Sequence, residues 1–325
     1  MNIIDELKAK VEGKNMKIVF PEGEDVRIMG AAIRLKKDGL ITPILLGNIE
    51  EIEKVAKENN FDISDIEVIQ PEKAEDFEEL VDAFVERRKG KATKEQALEQ
   101  IKVPNYYGTM MTYVGKADGM VSGAVNSTGD TVRPALQIVK TKPGVSRTSG
   151  AMVMLGKDGS RLLFSDIAIN ITLEPQQLAE VAVESAKTAK LFGIDPKVAM
   201  LSFSTKGSAK HELAERTIEA TKIAKELAPD LALDGELQFD AAFVPSVGAK
   251  KAPGSDVAGK ANVFIFPDLQ AGNIGYKIAQ RLGGYEALGP ILQGLNKPIS
   301  DLSRGCSEED VYKLSIITAA QALAE

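Results

Sequence analysis

The chain has very few of the residues that build cysteine and histidine sites. It contains one cysteine, Cys306, one histidine, His211, and no tryptophan. A single cysteine excludes an internal disulfide and a multi-cysteine zinc site and suits a reducing compartment, so we expect a cytoplasmic protein. A catalytic zinc site needs several protein ligands, and one imidazole leaves little scope for a serine-histidine pair. We therefore predict no metal site, and AKHELAER around His211 favours a solvated helical face.

The sequence also lacks a surplus of positive charge and a long apolar run. Lysine and arginine number 40 against 47 aspartates and glutamates, which gives a net charge of -7. Binding of phosphodiesters needs a concentrated basic surface, so a nucleic-acid partner is not expected. The N-terminal MNIIDELKAKVEGKN predicts a charged helix without the apolar centre of a signal peptide. No stretch approaches the length that spans a bilayer, so no membrane partner is expected either.

Two phosphate-binding fingerprints are missing as well. The sequence has no GxxxxGK[ST], and no two glycines are separated by a single residue, so GxGxxG is absent. What is present is an alternation of short apolar strands and amphipathic helices over 325 residues with 44% hydrophobic content. This alternation predicts an α/β fold with parallel sheets, and the length suits two domains.

The order of these segments predicts an inserted second domain. From about Thr148 the composition changes, and SGAMVMLGKDGSRLLFSD predicts a hairpin whose turn lies at residues 157–159. We place the first domain at residues 1–146 plus 296–325 and the second at residues 147–295. Clefts between domains are favoured ligand sites, so we expect the ligand to bind between the two α/β domains.

Two segments of the first domain have the composition of ligand-binding loops. Residues 122–134, SGAVNSTGDTVRP, follow a predicted strand and are rich in small and hydroxyl side chains, which permits close backbone approach to a ligand. An ordinary surface loop is the alternative. The helix that ends in VERRKGK carries Arg87, Arg88, Lys89 and Lys91, which either compensate the helix dipole or hold a polyanion.

The densest group of reactive side chains is residues 296–310, NKPISDLSRGCSEED. A turn at Ser303, Arg304 and Gly305 leads into a predicted helix, whose N-terminal N–H groups favour an anion such as phosphate. Two simpler readings stay open. Ser307 and Asp310 have the spacing of a capping box, and Ser303 and Arg304 could form a solvated turn.

Four motifs together, PEGED, DGMVSGAVNSTGDTVRP, LLFSDIAINITLEPQQLAEVAVESAKTA and NKPISDLSRGCSEEDV, resemble the phosphate acetyltransferase family over essentially the whole chain. The phosphate butyryltransferases share this outline. The resemblance implies a fold like that of the isocitrate and isopropylmalate dehydrogenases, and reversible acetyl transfer between coenzyme A and phosphate without a metal in the chemical step. It also implies coenzyme A as a substrate, with no tightly bound cofactor, and a homodimer.

The resemblance further implies roles for individual residues. Asp310 would take the proton of the coenzyme A thiol, Ser303 would hydrogen-bond the reacting carbonyl, and Arg304 would hold the phosphoryl group. A thiol is only about 3% ionised at pH 7, so its attack needs a base. An aspartate with an ordinary pKa is too weak a base for this task, so Asp310 could not act with its pKa unperturbed. The residues expected to bind substrate are Arg133, Ser127, Thr128, Gly129, Thr131, Tyr276, Lys277 and one or both of Arg87 and Arg88.

Three alternatives differ from direct acetyl transfer. Cys306 beside Arg304 suggests a covalent acyl-cysteine route, although no histidine stands next to it. A decarboxylating 2-hydroxy acid dehydrogenase would share the expected architecture, but it needs a cluster of metal-binding aspartates. An acyl-CoA sensor would bind the same ligand without turning it over.

Overall fold

The computed structural model describes residues 3–324. The helices are α1 (Ile3–Val11), α2 (Val26–Lys37), α3 (Ile49–Glu58), α4 (Phe77–Arg88), α5 (Lys94–Ile101), α6 (Pro104–Val114), α7 (Thr128–Ile138), α8 (Pro175–Leu191), α9 (Glu212–Leu227), α10 (Phe239–Phe243), α11 (Pro245–Lys251), α12 (Leu269–Arg281) and α13 (Glu308–Leu323). The strands are β1 (Lys17–Phe20), β2 (Thr42–Leu46), β3 (Glu67–Ile69), β4 (Gly119–Ser122), β5 (Ser149–Leu155), β6 (Arg161–Ser165), β7 (Val198–Leu201), β8 (Leu233–Leu237), β9 (Val263–Ile265), β10 (Glu286–Gln293) and β11 (Ile299–Asp301).

The chain divides into two compact units, residues 1–140 with 295–325 and residues 141–294. The boundaries lie earlier than those we predicted at 146/147 and 295/296. The reason is local bonding. The Lys142 N–H donates to the Gly294 carbonyl at 2.9 Å, and the Ser146 N–H and hydroxyl donate to Glu180 at 2.8 and 2.6 Å. These contacts attach residues 141–146 to the second unit.

The first unit is built on a parallel sheet with the strand order β11-β4-β1-β2-β3. Its central strand β1 carries Ile18, Val19 and Phe20, all fully buried, as expected for a strand covered on both faces. Because β11 pairs in parallel with β4, the chain returns to this sheet after the whole second unit. The carboxyl ends of β11, β4 and β1 therefore lie side by side.

The second unit has a sheet with the order β10-β5-β6-β9-β7-β8. Strands β6, β9, β7 and β8 run parallel, whereas β5 pairs antiparallel with both β6 and β10. The predicted hairpin is confirmed, since β5 and β6 are joined across the turn that contains Gly159, with φ +85°. The predicted α/β class with two sheets is likewise confirmed.

Candidate active site

The carboxyl edge of the first sheet gathers three polar loops and three helix N-termini. β1, β4 and β11 are neighbours, and each leads through a short loop into a helix, α2, α7 and α13 respectively. Side chains cap these helices at Asp25, Ser127 and Ser307. Helix N-termini present N–H groups and partial positive charge, so this edge of the sheet is suited to binding anions.

The loop after β1 carries a buried carboxylate. Glu22, which is 7% exposed, accepts four hydrogen bonds from consecutive backbone N–H groups of the loop after β4. Its Oε2 accepts from Gly123 at 3.0 Å and Ala124 at 2.8 Å, and its Oε1 accepts from Val125 at 3.0 Å and Asn126 at 2.7 Å. Four converging N–H groups form a backbone nest that satisfies both carboxylate oxygens.

This arrangement corrects the expectation that the loop backbone itself approaches a ligand. The N–H groups of residues 123–126 are already paired with Glu22, so any ligand must use the helix start and the side chains beyond them. Gly123 has φ +107°, and a Cβ there would lie 2.5 Å from Asp301 Oδ1 and 2.6 Å from the Leu302 carbonyl oxygen. The conformation and the space both require glycine.

Arg27, at the start of α2, ties the three loops together. Its guanidinium forms a two-point ion pair with Asp25, with Nη2 2.8 Å from Oδ2 and Nε 3.0 Å from Oδ1. The remaining donors reach the carbonyls of Ala124 at 2.8 Å and of Arg304 and Cys306 at 2.9 Å each. Burial by itself raises the pKa of Asp25, but the hydrogen bonds from Arg27 lower it overall. Our sequence analysis missed this residue, because nothing local marks an arginine whose partners are so far along the chain.

A cavity of about 450 Å³ opens beside this network in the first unit. Tyr106 lies in its wall, where burial raises the pKa of the phenol while the charges of Arg133 and Arg88 lower it. The cavity therefore combines carboxylates, an exposed arginine and an aromatic ring. It is lined by Pro21, Glu22, Glu24, Asp25, Val103, Pro104, Asn105, Tyr106, Val125, Asn126, Asp130, Arg133 and Pro134.

The predicted catalytic turn lies at the start of α13. Ser303, Arg304 and Asp310 are all exposed. The Ser303 carbonyl accepts from the Cys306 N–H at 2.9 Å, which closes the turn. Asp310 Oδ2 accepts from the N–H and the hydroxyl of Ser307, both at 2.8 Å, so the capping box is formed. Asp310 therefore caps α13, and its carboxylate is exposed to solvent as well.

The start of α7 repeats this local structure. Asp130 Oδ2 accepts from the Ser127 N–H at 3.2 Å and from its hydroxyl at 2.6 Å. These bonds lower the pKa of Asp130. Thr128 and Gly129, predicted to bind substrate, are exposed in the same turn, as is Arg133 one turn later. Thr131 is fully buried and faces inward, so it has no surface for direct ligand contact in this structure.

The structure separates the arginine pair that the sequence left ambiguous. Arg87 donates to the carbonyls of Ile138 at 2.6 Å and Val139 at 3.1 Å, and its guanidinium lies 4.6 Å from the Tyr113 ring centroid. It therefore fastens the end of α7 to α4. Arg88 instead lines a surface depression with Lys91, and its charge lowers the pKa of Tyr106 in the wall of the cavity. Of the two, Arg87 is therefore the one whose donors are already taken up by backbone carbonyls.

Tyr276 and Lys277, the other predicted substrate-binding residues, belong to the second unit. Tyr276 packs against that unit's apolar core, and burial raises the pKa of its phenol. The Lys277 ammonium donates to Asn273 Oδ1 at 2.7 Å. Neither contact tests a role in binding, so both assignments stay predictions.

The single histidine and the single cysteine are both placed in structural roles. His211 caps α9, where its Nδ1 accepts from the Leu213 N–H at 3.2 Å. Cys306 is buried, and this burial raises the pKa of its thiol despite the nearby Arg27 guanidinium, whose Nη1 lies 3.7 Å from Sγ. A raised thiol pKa makes Cys306 a poor nucleophile at neutral pH.

Within residues 3–324, no three histidine, cysteine, aspartate or glutamate side chains are grouped so that they could hold a metal ion. Over the same residues, the helices are all too short or too polar to cross a bilayer.

An α/β protein with arginines and helix N-termini at one sheet edge belongs to the broad class that binds phosphorylated small molecules. Comparison with known proteins narrows this class. The family model described as phosphate acetyl/butaryl transferase matches residues 2–319. The chain is 62% identical over 327 residues to a phosphate acetyltransferase of Staphylococcus epidermidis and 61% identical over 326 residues to one of Staphylococcus aureus, each covering 99% of both chains.

Solved structures agree with the sequence matches. A phosphotransacetylase from Streptococcus pyogenes is 60% identical, with a TM-score of 0.98 over 99% of this chain and 98% of its own. One from Staphylococcus aureus is 61% identical, with a TM-score of 0.94 over 98% of each chain. The chain therefore belongs to the phosphate acetyl/butyryl transferase family and is an acyltransferase. The predicted dehydrogenase-like α/β fold is confirmed by these matches. The alternative of a decarboxylating dehydrogenase activity is dropped.

Glu22 should be essential for the architecture of this edge. In Glu22→Gln, an amide NH₂ replaces one acceptor and faces N–H donors, so we expect the free energy of unfolding to fall by about 2–4 kcal/mol in urea titrations. The matched control is Glu24→Gln. Glu24 is exposed and accepts one bond, from the Asn48 N–H at 2.8 Å, so its loss should cost about 1 kcal/mol or less. Equal costs for the two variants would show that the nest is not a main support of the fold.

Proposed function

We propose that the protein is a phosphate acetyltransferase, which interconverts acetyl-CoA and phosphate with acetyl phosphate and coenzyme A. The observation that carries this proposal is the identity of 61–62% to phosphate acetyltransferases over 99% of the chain. Coenzyme A acts as a substrate and is released in each turnover. A phosphate butyryltransferase is the second candidate, because the matching family model covers both activities.

In the proposed mechanism both substrates are bound at once. Asp310 accepts the proton of the coenzyme A thiol, and the thiolate forms a C–S bond to the acetyl carbon of acetyl phosphate. The C–O bond to phosphate then breaks, and its electron pair leaves with the phosphate. Ser303 donates a hydrogen bond to the carbonyl oxygen, while Arg304 and the N-terminus of α13 neutralise the phosphoryl group. The support for these roles is that all three side chains are exposed within eight residues, in the loop before α13 and in its first turn.

Direct attack by the coenzyme A thiolate is favoured over an acyl-cysteine intermediate. Cys306 is buried with a raised thiol pKa, and the one imidazole of the chain caps a helix in the other unit. A covalent route would need a cysteine that ionises easily, usually beside a base.

The activity and its acyl preference can be measured together. We expect arsenate-dependent loss of acetyl-CoA, because an acetyl arsenate formed in place of acetyl phosphate hydrolyses at once. Butyryl-CoA should give a kcat/KM at least about tenfold lower, since one or two methylenes in a fitted pocket are worth about 1–3 kcal/mol. A higher kcat/KM with butyryl-CoA would make the protein a butyryltransferase, and no loss of either thioester would make it a sensor.

The assignment of Asp310 as the base has an internal control in Asp130, which forms the same capping box at α7. Asp310→Asn should lower kcat at least about 100-fold in both directions, the usual contribution of a general base. Asp130→Asn loses a capping carboxylate of the same geometry, so its kcat should fall far less. Should the two variants lose similar activity, the effect would come from the helix caps, and the base assignment would be wrong.

The arginine pair gives a test of coenzyme A binding. Arg88→Ala should raise the KM for acetyl-CoA about tenfold with little change in kcat or thermal stability, because it removes a charge that faces a ligand. Arg87→Ala should lower the melting temperature, because it leaves the Ile138 and Val139 carbonyls without their partner. The opposite pattern of effects would assign coenzyme A to Arg87.

We also propose a cytoplasmic homodimer. The low cysteine content supports the location. Exposed apolar side chains at helical spacing support the dimer: Ile274 and Ile278 on α12 and Leu282 at its C-cap, with exposed fractions of 56%, 52% and 85%. A surface of this kind usually marks a contact with another protein. The mass of the purified chain in sedimentation equilibrium measures the oligomeric state.

A further inference from the structure

One buried carboxyl group differs from all the others that the structure describes. Six of them have hydrogen-bond donors or ammonium partners that account for their charge: Glu22, Asp166, Glu180, Glu184, Asp234 and Glu236. Asp301, at the carboxyl end of β11, is 4% exposed, and its Oδ1 has no hydrogen-bond partner in the protein. Among residues 3–324 it is the only carboxylate oxygen buried in this way. A buried carboxylate without compensation is costly, so the neutral acid is favoured.

The groups around Asp301 do not supply a positive charge. The Thr128 and Thr131 hydroxyls of α7 face it and lower its pKa, while burial, the larger effect, raises it. Thr131 Oγ1 also has no partner of good geometry, so a proton on Asp301 would have an acceptor at hand. The charge of Glu22 raises the pKa further, and the net result is a value of about 6.

Further charged groups lie on the elements that pack against this position. α7, α13 and β4 contact β11. The charged residues at this end of these elements and the adjoining loops are Glu22 after β1, Asp130 and Arg133 on α7, Arg304 in the loop after β11, and Glu308, Glu309 and Asp310 on α13. Glu22 accepts four N–H bonds, whereas Asp301 Oδ1 accepts none.

We propose that Asp301 is a positioning residue whose protonated form lets a phosphoryl group bind tightly at the adjoining helix N-termini, and whose ionised form weakens that binding. This inference rests on the proposed function, which places the phosphoryl group there. Two buried carboxyls beside one anion site cannot both be ionised without repelling the anion. Glu22 accepts the four N–H bonds that shape the loop, and Asp301 takes up a proton when the anion binds.

Reciprocity makes the proposal measurable. If an anion binds better when Asp301 is protonated, the bound anion must equally favour protonation of Asp301. Anion affinity then falls as the pH rises through the pKa of this one group. Sulfate is a suitable probe because it resembles phosphate and stays a dianion across this pH range. The one histidine, His211, caps a helix in the other unit.

The experiment measures the sulfate inhibition constant against phosphate from pH 5 to pH 7.5. In the wild-type enzyme we expect sulfate to bind about tenfold more weakly at pH 7.5, the change that follows if sulfate raises the pKa of Asp301 by one unit. In Asp301→Asn, which is neutral at every pH, the inhibition constant should stay near the wild-type value at pH 5. A pH-independent constant in the wild type, or an equal pH dependence in the variant, overturns the proposal.

A second measurement needs no activity. Because the pKa of Asp301 is raised in the folded protein, stability is lost as the pH rises from about 4 to about 6, and Asn removes this loss. The melting temperature of Asp301→Asn minus that of the wild type should therefore be more positive at pH 8 than at pH 4.5. The control is Asp234→Asn. Burial alone would raise the pKa of Asp234, but Lys206, Ser255 and Lys225 lower it to about 2. Its difference should stay nearly unchanged between pH 4.5 and pH 8, because a carboxyl with this lowered pKa is largely ionised in both the folded and the unfolded protein over that range.

The two measurements separate the failures. If the wild type shows no acyl transfer but the melting temperatures behave as stated, the proposed function is wrong, while the raised pKa of Asp301 is upheld. If the enzyme is active but the melting difference of Asp301→Asn does not change with pH, Asp301 has no raised pKa and the inference fails, while the proposed function is upheld.

Discussion

The paired oxygens of Glu22 and the four N–H groups of residues 123–126 form the contact on which the rest of the first unit's functional edge depends. A loop that must turn from a strand into a helix exposes several N–H groups that secondary structure cannot satisfy. One carboxylate from a different loop satisfies them all. The contact also fixes where α7 begins, and with it the direction in which Asp130 and Arg133 face the cavity.

The arginines of this unit divide according to what their donors meet. Arg27 and Arg87 direct their donors to backbone carbonyls and so hold loops and helix ends in place. Arg133 and Arg304 are exposed, and Arg88 is half-buried, with a charge that lowers the pKa of Tyr106. A guanidinium that is already saturated by protein acceptors has little left for a ligand. The structure thus distinguishes arginines that build the site from arginines that are available to a phosphate.

The negative charges at the same edge follow a similar division. Glu22 is buried and saturated with donors, Asp301 is buried with an unpaired oxygen, and Asp310 is exposed in a capping box. These three carboxyls have the same chemistry but different surroundings. Burial and the number of hydrogen-bond donors differ among the three, and these two factors set how readily a carboxyl loses its proton.

Local sequence was sufficient for the α/β class, the hairpin of β5 and β6, and the capping box at Ser307, because strand and helix periodicity and caps are contained within a few residues. The resemblance carried by four motifs indicated the family. Only the tertiary structure decided that Glu22 lies in a nest about a hundred residues further along the chain, that Arg27 joins three loops, and that Arg87 is held by the carbonyls of Ile138 and Val139. These depend on which side chains the sheet order brings together, and a parallel sheet whose last strand follows an inserted unit brings together residues that no local pattern links.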